Sequence, residues 1–152
     1  MESVHSRYYG EWVENVKTIL TERLAYNVPI FLENTREKTP DIFYDILSGI
    51  EKLPVGICLD VGHAVAYSNV HLDRWISRLS DFIREVHLHE CTPGRDLHAV
   101  LGYGAIDWMH VFRQFERNDI DICKIALTLE PRDENDLVRG IEFLRENIGI
   151  TF

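Results

Sequence analysis

The stretch VGICLDVGHA, residues 55–64, predicts a buried strand that ends in ionisable side chains. The apolar run Val55–Leu59 is followed directly by Asp60, and His63 lies three residues further on. In parallel α/β sheets, functional groups gather at the carboxyl ends of the strands and in the loops that follow them. The stretch therefore indicates a strand whose carboxyl end belongs to a functional face.

Similar units occur along the rest of the chain, each an apolar run followed by a helical pattern. The predicted strands are 28–33, 55–60, 84–90 and 124–130. The helical patterns consist of Ile42, Phe43, Ile46, Leu47 and Ile50; Leu72, Trp75, Ile76, Leu79 and Ile83; Met109, Phe112 and Phe115 after the Asp107 cap; and Leu137, Ile141 and Leu144. Strands that alternate with helices indicate right-handed crossovers and a parallel sheet covered by helices. The fold class is therefore α/β.

An additional amphipathic helix precedes the first strand. Its apolar residues Trp12, Val16, Ile19, Leu20 and Leu24 follow helical spacing and predict one buried face. We predict a single domain over residues 1–152, in which 1–27 form this leading helix and 28–152 form four βα units.

Composition limits the classes of function. The 152 residues are 45% hydrophobic, enough for one core, and the net charge of -9 disfavours nucleic acid as a partner. Cys58, Cys91 and Cys123 lack metal-type spacing and are interpreted as core thiols. The sequence contains neither a long apolar run nor a signal-peptide pattern, so we expect no membrane association and a cytoplasmic location.

The four predicted strands all end in polar, ionisable side chains: Glu33, Asp60, His87 with His89, and Glu130. Parallel strands bring these groups to one edge, where buried carboxylates repel one another and need a positive charge between them. A divalent cation bound by three carboxylates and the imidazole of His87 satisfies this need. Oxygen and nitrogen ligands of this kind suit manganese, magnesium, cobalt or zinc.

Five motifs, in this order and spacing, resemble the xylose isomerase-like TIM barrels, a superfamily of sugar phosphate isomerases and epimerases that includes AP endonuclease family 2. The motifs are FLENT, CLDVGHA, EVHLHE, GRDLHAVLGYGAIDW and LTLEP. The resemblance runs from about residue 28 to about residue 147 and covers the C-terminal half of such a barrel. It implies half of a (β/α)8 barrel, with four parallel strands preceded by one helix.

The resemblance also implies roles for individual residues. Glu33, Asp60, His87 and Glu130 would hold one divalent metal, and Glu33 and Glu130 would also exchange protons with a substrate carbon. The expected activity is isomerisation or epimerisation of a sugar or sugar phosphate through an enediolate intermediate. His63 and His89 would hold sugar hydroxyls, and Asp96 or His98 would close the rim of the site.

Two alternatives stay open. An abasic-site phosphodiesterase similar to endonuclease IV would bind a zinc cluster and recruit His63, Asp96 and His98 as further ligands. The GYGAIDW segment and the acidic charge favour the isomerase over this nuclease. The second alternative is an inactive half-barrel remnant that binds a sugar or a partner chain.

The resemblance accounts for half of a barrel. A complete barrel of this kind has about 250 residues. A four-stranded half exposes two strand edges, which invite pairing with another body. We therefore expect a homodimer or a complementary N-terminal half-barrel chain, and enzyme activity once the barrel is completed.

Overall fold

The computed structural model describes residues 4–23 and 28–150, which contain six helices and six strands. In chain order these elements are α1 Val4–Arg23, β1 Ile30–Glu33, α2 Asp41–Leu47, β2 Val55–Asp60, α3 Val61–Tyr67, α4 Leu72–Leu79, β3 Ile83–Leu88, β4 Glu90–Thr92, β5 Arg95–Ala99, α5 Trp108–Arg117, β6 Ala126–Leu129 and α6 Glu134–Asn147. In this part of the chain, no helix is long and apolar enough to span a membrane.

A four-stranded parallel sheet forms the centre of the fold. Its strand order is β1-β2-β3-β6, and every neighbouring pair is parallel. This arrangement confirms the predicted α/β class with four parallel strands and helices. Strands β1 and β6 are the outer strands, and within residues 4–23 and 28–150 no further strand pairs with either of them.

The hydrophobic core lies between this sheet and the helices. Leu59 of β2 and Val86 of β3 pack with Trp75 of α4 and Phe115 of α5, and all four side chains are fully buried. The Trp75 indole N–H donates a hydrogen bond of 2.8 Å to the Ser68 hydroxyl, so its one polar atom is satisfied inside the core. The core therefore holds β2 and β3 firmly where their carboxyl ends reach the site.

The predicted buried face of the leading helix is wrong in part. Trp12 is 47% exposed and Ile19 is 56% exposed, whereas Val13 and Leu20 are buried. Helix α1 packs on α2, and Leu20 and Val16 of the predicted stripe do lie in or against the core, whereas Val13 takes the place of Trp12 and Ile19 there. Leu24, the last residue of the predicted stripe, lies outside the described residues.

Three local predictions also need correction. Ile83 begins β3 and does not continue α4, because that helix ends at Leu79. The predicted strand 84–90 ends at Leu88, and the chain then enters an antiparallel hairpin formed by β4 and β5. Cys123 is exposed next to the turn before β6, so only Cys58 and Cys91 are buried thiols.

Candidate functional site

The register of the sheet sets the positions of the expected site residues. Glu33 is opposite Cys58, while Asp60 is opposite His87 one layer further along the strands. Glu130 follows β6, and its backbone N–H donates to Leu88 O, one layer beyond His87. Because side chains alternate between the faces of a sheet, these residues project from one face at three successive heights.

Asp60 lies at the centre of this face and is 0% exposed. Its Oδ1 accepts a 2.6 Å hydrogen bond from the His63 backbone N–H, which caps the start of α3. The Asn34 side chain holds the Asp60 backbone through two hydrogen bonds of 2.8 Å each. These contacts fix the carboxylate in one orientation at the point where β2 becomes α3.

Three expected carboxylates surround one nitrogen atom. His87 Nδ1 lies 3.8 Å from Glu33 Oε1, 3.7 Å from Asp60 Oδ2 and 3.2 Å from Glu130 Oε1. This nitrogen is buried, and the structure gives it no hydrogen-bond partner among the described residues. The three carboxylates therefore lie around His87 Nδ1, a buried nitrogen atom that makes no hydrogen bond within the described part of the chain.

His63, His89, Asp96 and His98 form a second group beside the first, with ligand atoms all within 4.8 Å of one another. Asp96 Oδ2 lies 3.2 Å from His63 Nε2 and 3.1 Å from His98 Nε2. The hairpin of β4 and β5 carries Asp96 and His98 over the sheet, where the His98 and His89 rings stack with centroids 4.0 Å apart. The structure thus brings all eight predicted site residues into one cluster.

His89 does not reach solvent. Its ring is 0% exposed, and Nε2 lies 3.0 Å from both carboxylate oxygens of Asp60. This burial is at odds with the expected contact between His89 and sugar hydroxyls. The structure instead shows His89 Nε2 holding the Asp60 carboxylate in place.

Electrostatics at the site favour positive charge. The nearby Asp60 carboxylate and Cys58 thiol raise the pKa of His87 to about 11 despite the opposing effect of burial. Burial acts to raise the pKa of Asp60, yet the adjacent His87 ring and the hydrogen bond from His89 hold it below its usual value. The Asp60 carboxylate therefore stays ionised and attracts a cation, either a proton on the imidazole or a metal ion.

The donor set fits a divalent metal. Three carboxylates and one imidazole offer oxygen and nitrogen ligands, and His87 Nδ1, His89 Nδ1 and Asp96 Oδ1 are buried without hydrogen-bond partners. Buried polar atoms are almost always satisfied in folded proteins. His89 Nδ1 and Asp96 Oδ1 lie 3.4 Å from each other, so His87 Nδ1, with three carboxylates around it, is the atom that best indicates a cation site. Glu33, Asp60 and His87 offer ligand atoms that lie within 4.8 Å of one another, and Asp60, His89 and Glu130 form a second such group that shares Asp60.

Two supporting residues were not identified from the sequence. Asn34 holds the backbone of Asp60, and Glu90 is fully buried and accepts hydrogen bonds from Trp108 Nε1 at 2.7 Å and from Gly102 N at 2.8 Å. Glu90 thereby fixes the loop after β5 against the start of α5. Its position directly after His89 is the only sequence signal for this role, and it does not separate a structural acid from a ligand.

Gly62 should be essential for the position of His89. A Cβ atom at residue 62 would overlap the His89 ring, so we expect Gly62→Ala to displace that ring and to lower the free energy of unfolding by about 1–3 kcal/mol. Metal affinity should fall in parallel, as read by calorimetric titration with Mn²⁺. Gly10→Ala is the control, because a Cβ there meets nothing within 4 Å. Unchanged stability and affinity in Gly62→Ala would contradict this packing.

Similar proteins share both the fold and the sequence pattern. An uncharacterised protein of Methanocaldococcus jannaschii, MJ1311, is 26% identical over 158 aligned residues, which cover 95% of this chain and 52% of the relative. The crystal structure of a D-tagatose 3-epimerase-like protein matches with a TM-score of 0.76 and 25% identity, covering 98% of this chain and 59% of that one.

An L-ribulose 3-epimerase matches in fold with a TM-score of 0.65 and 16% identity, over 100% of this chain and 49% of that chain. The chain thus spans about half the length of the relatives that it matches. The family model described as "Xylose isomerase-like TIM barrel" matches residues 3–147. The chain belongs to the xylose isomerase-like TIM barrel family.

Proposed function

We propose that this chain carries the metal-binding half of a sugar isomerase or epimerase. The main supporting observation is the buried, unsatisfied Nδ1 of His87, which faces the carboxylates of Glu33, Asp60 and Glu130. Similarity to proteins named as 3-epimerases supports the class of reaction. The substrate in this proposal is a small sugar or sugar phosphate.

The exposure of the carboxylates suggests how they divide the work. Asp60 is fully buried, whereas the Glu33 and Glu130 side chains are partly open to solvent. Glu33 ends one edge strand, and Glu130 follows the other, so they approach a bound molecule from opposite sides. We assign proton removal from the substrate carbon to one glutamate and proton delivery to the other.

A divalent cation bound by these residues would supply the positive charge that stabilises the oxyanion formed when the proton leaves. His63 Nδ1 hydrogen-bonds Asn34 O at 2.9 Å and lies 3.7 Å from Glu33 Oε1, and we assign its partly exposed ring to the orientation of a substrate hydroxyl beside that glutamate. Asp96 and His98 cover the same side of the site from the hairpin.

A second candidate is phosphodiester hydrolysis at abasic DNA. The observation in its favour is the adjacent ligand group of His63, His89, Asp96 and His98, which offers room for more than one ion. The net charge of -9 opposes binding to a phosphate backbone unless several bound cations reverse the local sign. The sugar reaction therefore remains the leading proposal.

Closure of the sheet also belongs to this proposal. Strands β1 and β6 end the sheet, and apolar side chains are exposed on the flanking helices, Trp12 and Ile19 on α1 and Val138 on α6. Open edges and exposed apolar stripes on both flanks suit a second four-stranded body that closes an eight-stranded barrel. That body is either a second copy of this chain or a complementary half-barrel.

Substitution of one proposed acid–base residue tests the reaction. Glu130→Gln keeps an oxygen ligand but cannot accept a proton, so kcat should fall by roughly 10²–10⁴-fold while most Mn²⁺ affinity remains. Deuterium incorporation from D₂O into ketose substrates measures the proton transfer directly. Glu142→Gln, an exposed residue of α6, is the matched control. Full activity of Glu130→Gln would contradict the assignment of Glu130 as an acid–base residue.

Metal content separates the two candidate functions. Elemental analysis of the purified protein should give about one divalent ion per chain if the sugar reaction is right. Two or three zinc ions per chain, together with cleavage of a duplex that contains an abasic site, would favour the nuclease and contradict the leading proposal.

Oligomeric mass tests the closure of the sheet. If a second copy closes the barrel, light scattering should give twice the chain mass of 17.7 kDa, and Val138→Glu should shift the protein to a monomer. Glu142→Gln should leave the mass unchanged. A monomer with a cooperative thermal transition would contradict closure by a second copy and leave a complementary half-barrel as the required partner.

A further inference from the structure

A basic loop borders the candidate site at the end of β1. Residues 34–40 connect β1 to α2 and contain two cations, Arg36 and Lys38, both exposed. Both contact the last residue of α3: the Arg36 guanidinium carbon lies 5.3 Å from the Tyr67 ring centroid, and Lys38 Nζ donates a 2.7 Å hydrogen bond to Tyr67 O. The loop is thus held against α3 by two independent contacts.

Tyr67 connects this loop to the site. Its ring lies one helical turn after His63, and the two ring centroids are 6.0 Å apart with an interplanar angle of 33°. His63 in turn lies 3.2 Å from Asp60 Oδ2 and 3.7 Å from Glu33 Oε1. His63, Tyr67 and Arg36 therefore form a continuous wall that leads from the carboxylate cluster to a guanidinium group.

The charge of Arg36 is not neutralised by a neighbour. Within the described residues, its guanidinium forms no ion pair with any carboxylate. The adjacent Glu37 carboxylate is occupied instead by the backbone N–H groups of Thr35 and Arg36, at 2.7 Å and 3.1 Å. The Lys38 ammonium group is held at the end of α3 by its hydrogen bond to Tyr67 O, whereas the Arg36 guanidinium has no hydrogen-bond partner among the described residues and lies against the Tyr67 ring.

Four carboxylates crowd the other end of this wall: Glu33, Asp60, Asp96 and Glu130. One divalent ion leaves that end with negative charge, so it repels an anionic group near the reacting carbons. A ligand with a negative group is accommodated only if this group points away from the cluster, towards a cation. The wall of His63, Tyr67 and Arg36 leads away from the carboxylates and ends at such a cation, the Arg36 guanidinium.

We propose that Arg36 binds an anionic end group of the substrate, a phosphate monoester or a carboxylate, while the opposite end of the sugar occupies the carboxylate cluster. The inference rests on the proposed sugar function and narrows its substrate class to charged sugars. Tyr67 acts as a positioning residue for the guanidinium, and Lys38 fixes the loop that carries Arg36 against the end of α3. Arg36 offers several N–H donors in one plane, which suits an anion with two or three oxygen acceptors.

Calorimetric binding to the Mn²⁺-loaded chain tests this inference with three ligands: a neutral ketopentose, its terminal phosphate and the corresponding sugar acid. At least one charged ligand should bind roughly tenfold or more tightly than the neutral sugar, as expected for charge-assisted hydrogen bonds. The ligand that gains affinity identifies the anion as phosphate or carboxylate. Arg36→Gln should remove this gain and leave the Kd of the neutral sugar unchanged, and Arg36→Lys should restore part of it.

Lys52→Gln is the matched control. Lys52 precedes β2 and therefore lies at the end of the sheet away from the site, so its loss removes one positive charge without changing the wall. Equal Kd values for charged and neutral sugars, an Arg36→Gln variant that binds all three ligands as the parent does, or no binding of either charged ligand would each overturn the inference.

The same measurements separate this inference from the reaction itself. If a charged sugar binds through Arg36 but no deuterium is incorporated, the proposed reaction is contradicted and the proposed anion contact is supported. If neutral sugars are turned over and substitution of Arg36 changes neither binding nor turnover, the proposed reaction stands and the proposed anion contact is wrong.

Discussion

The structure depends on compensating the cost of burying one charged group, the carboxylate of Asp60. Asp60 is an ionised carboxylate at the end of the innermost part of the sheet, fully shielded from water. Burial of such a group without a partner costs several kcal/mol. The fold meets this cost with the His63 N–H and the His89 ring, while the Asn34 side chain holds the backbone of Asp60. The start of α3, the segment after β3 and the residue after β1 are therefore all bound to Asp60.

The stagger of the strands sets the height at which each of the other site residues lies relative to Asp60. Glu33 is in register with Cys58, below the level of Asp60 and His87, while His89 and Glu130 lie above that level. Only a long side chain such as glutamate spans the difference between layers, which explains glutamates at both edges and an aspartate at the centre. His89 comes to lie over the chain at Gly62, where the lack of a Cβ leaves room for its ring.

Much of this arrangement could be predicted from the sequence because it follows from strand ends. Asp60 and Glu130 were placed at one edge by that rule alone. The approach of Asp96 and His98 could not be derived from residue patterns, since it depends on a short hairpin of β4 and β5 without a clear alternation; only the resemblance indicated these residues. The burial of His89 was missed because alternation assigns the face of a residue but not the depth that the register gives it.

The leading helix shows a different limit of sequence patterns. Helix α1 carries overlapping apolar stripes, and helical spacing alone does not decide whether Val13 or the pair Trp12 and Ile19 is buried together with Leu20. In the packing against α2, Val13 is buried and the larger Trp12 and Ile19 stay exposed.

The uncovered face of the sheet restricts what can close it. Glu85, one layer below His87, projects from that face with a 25% exposed side chain, and its contacts are the Thr128 hydroxyl at 2.7 Å and His87 Nε2 at 3.6 Å. A body that closes the barrel would remove the remaining water from this carboxylate. The Thr128 hydroxyl and the His87 ring already face Glu85, so they would compensate for part of that desolvation. The interior that a closing body would cover is therefore polar at this level of the sheet.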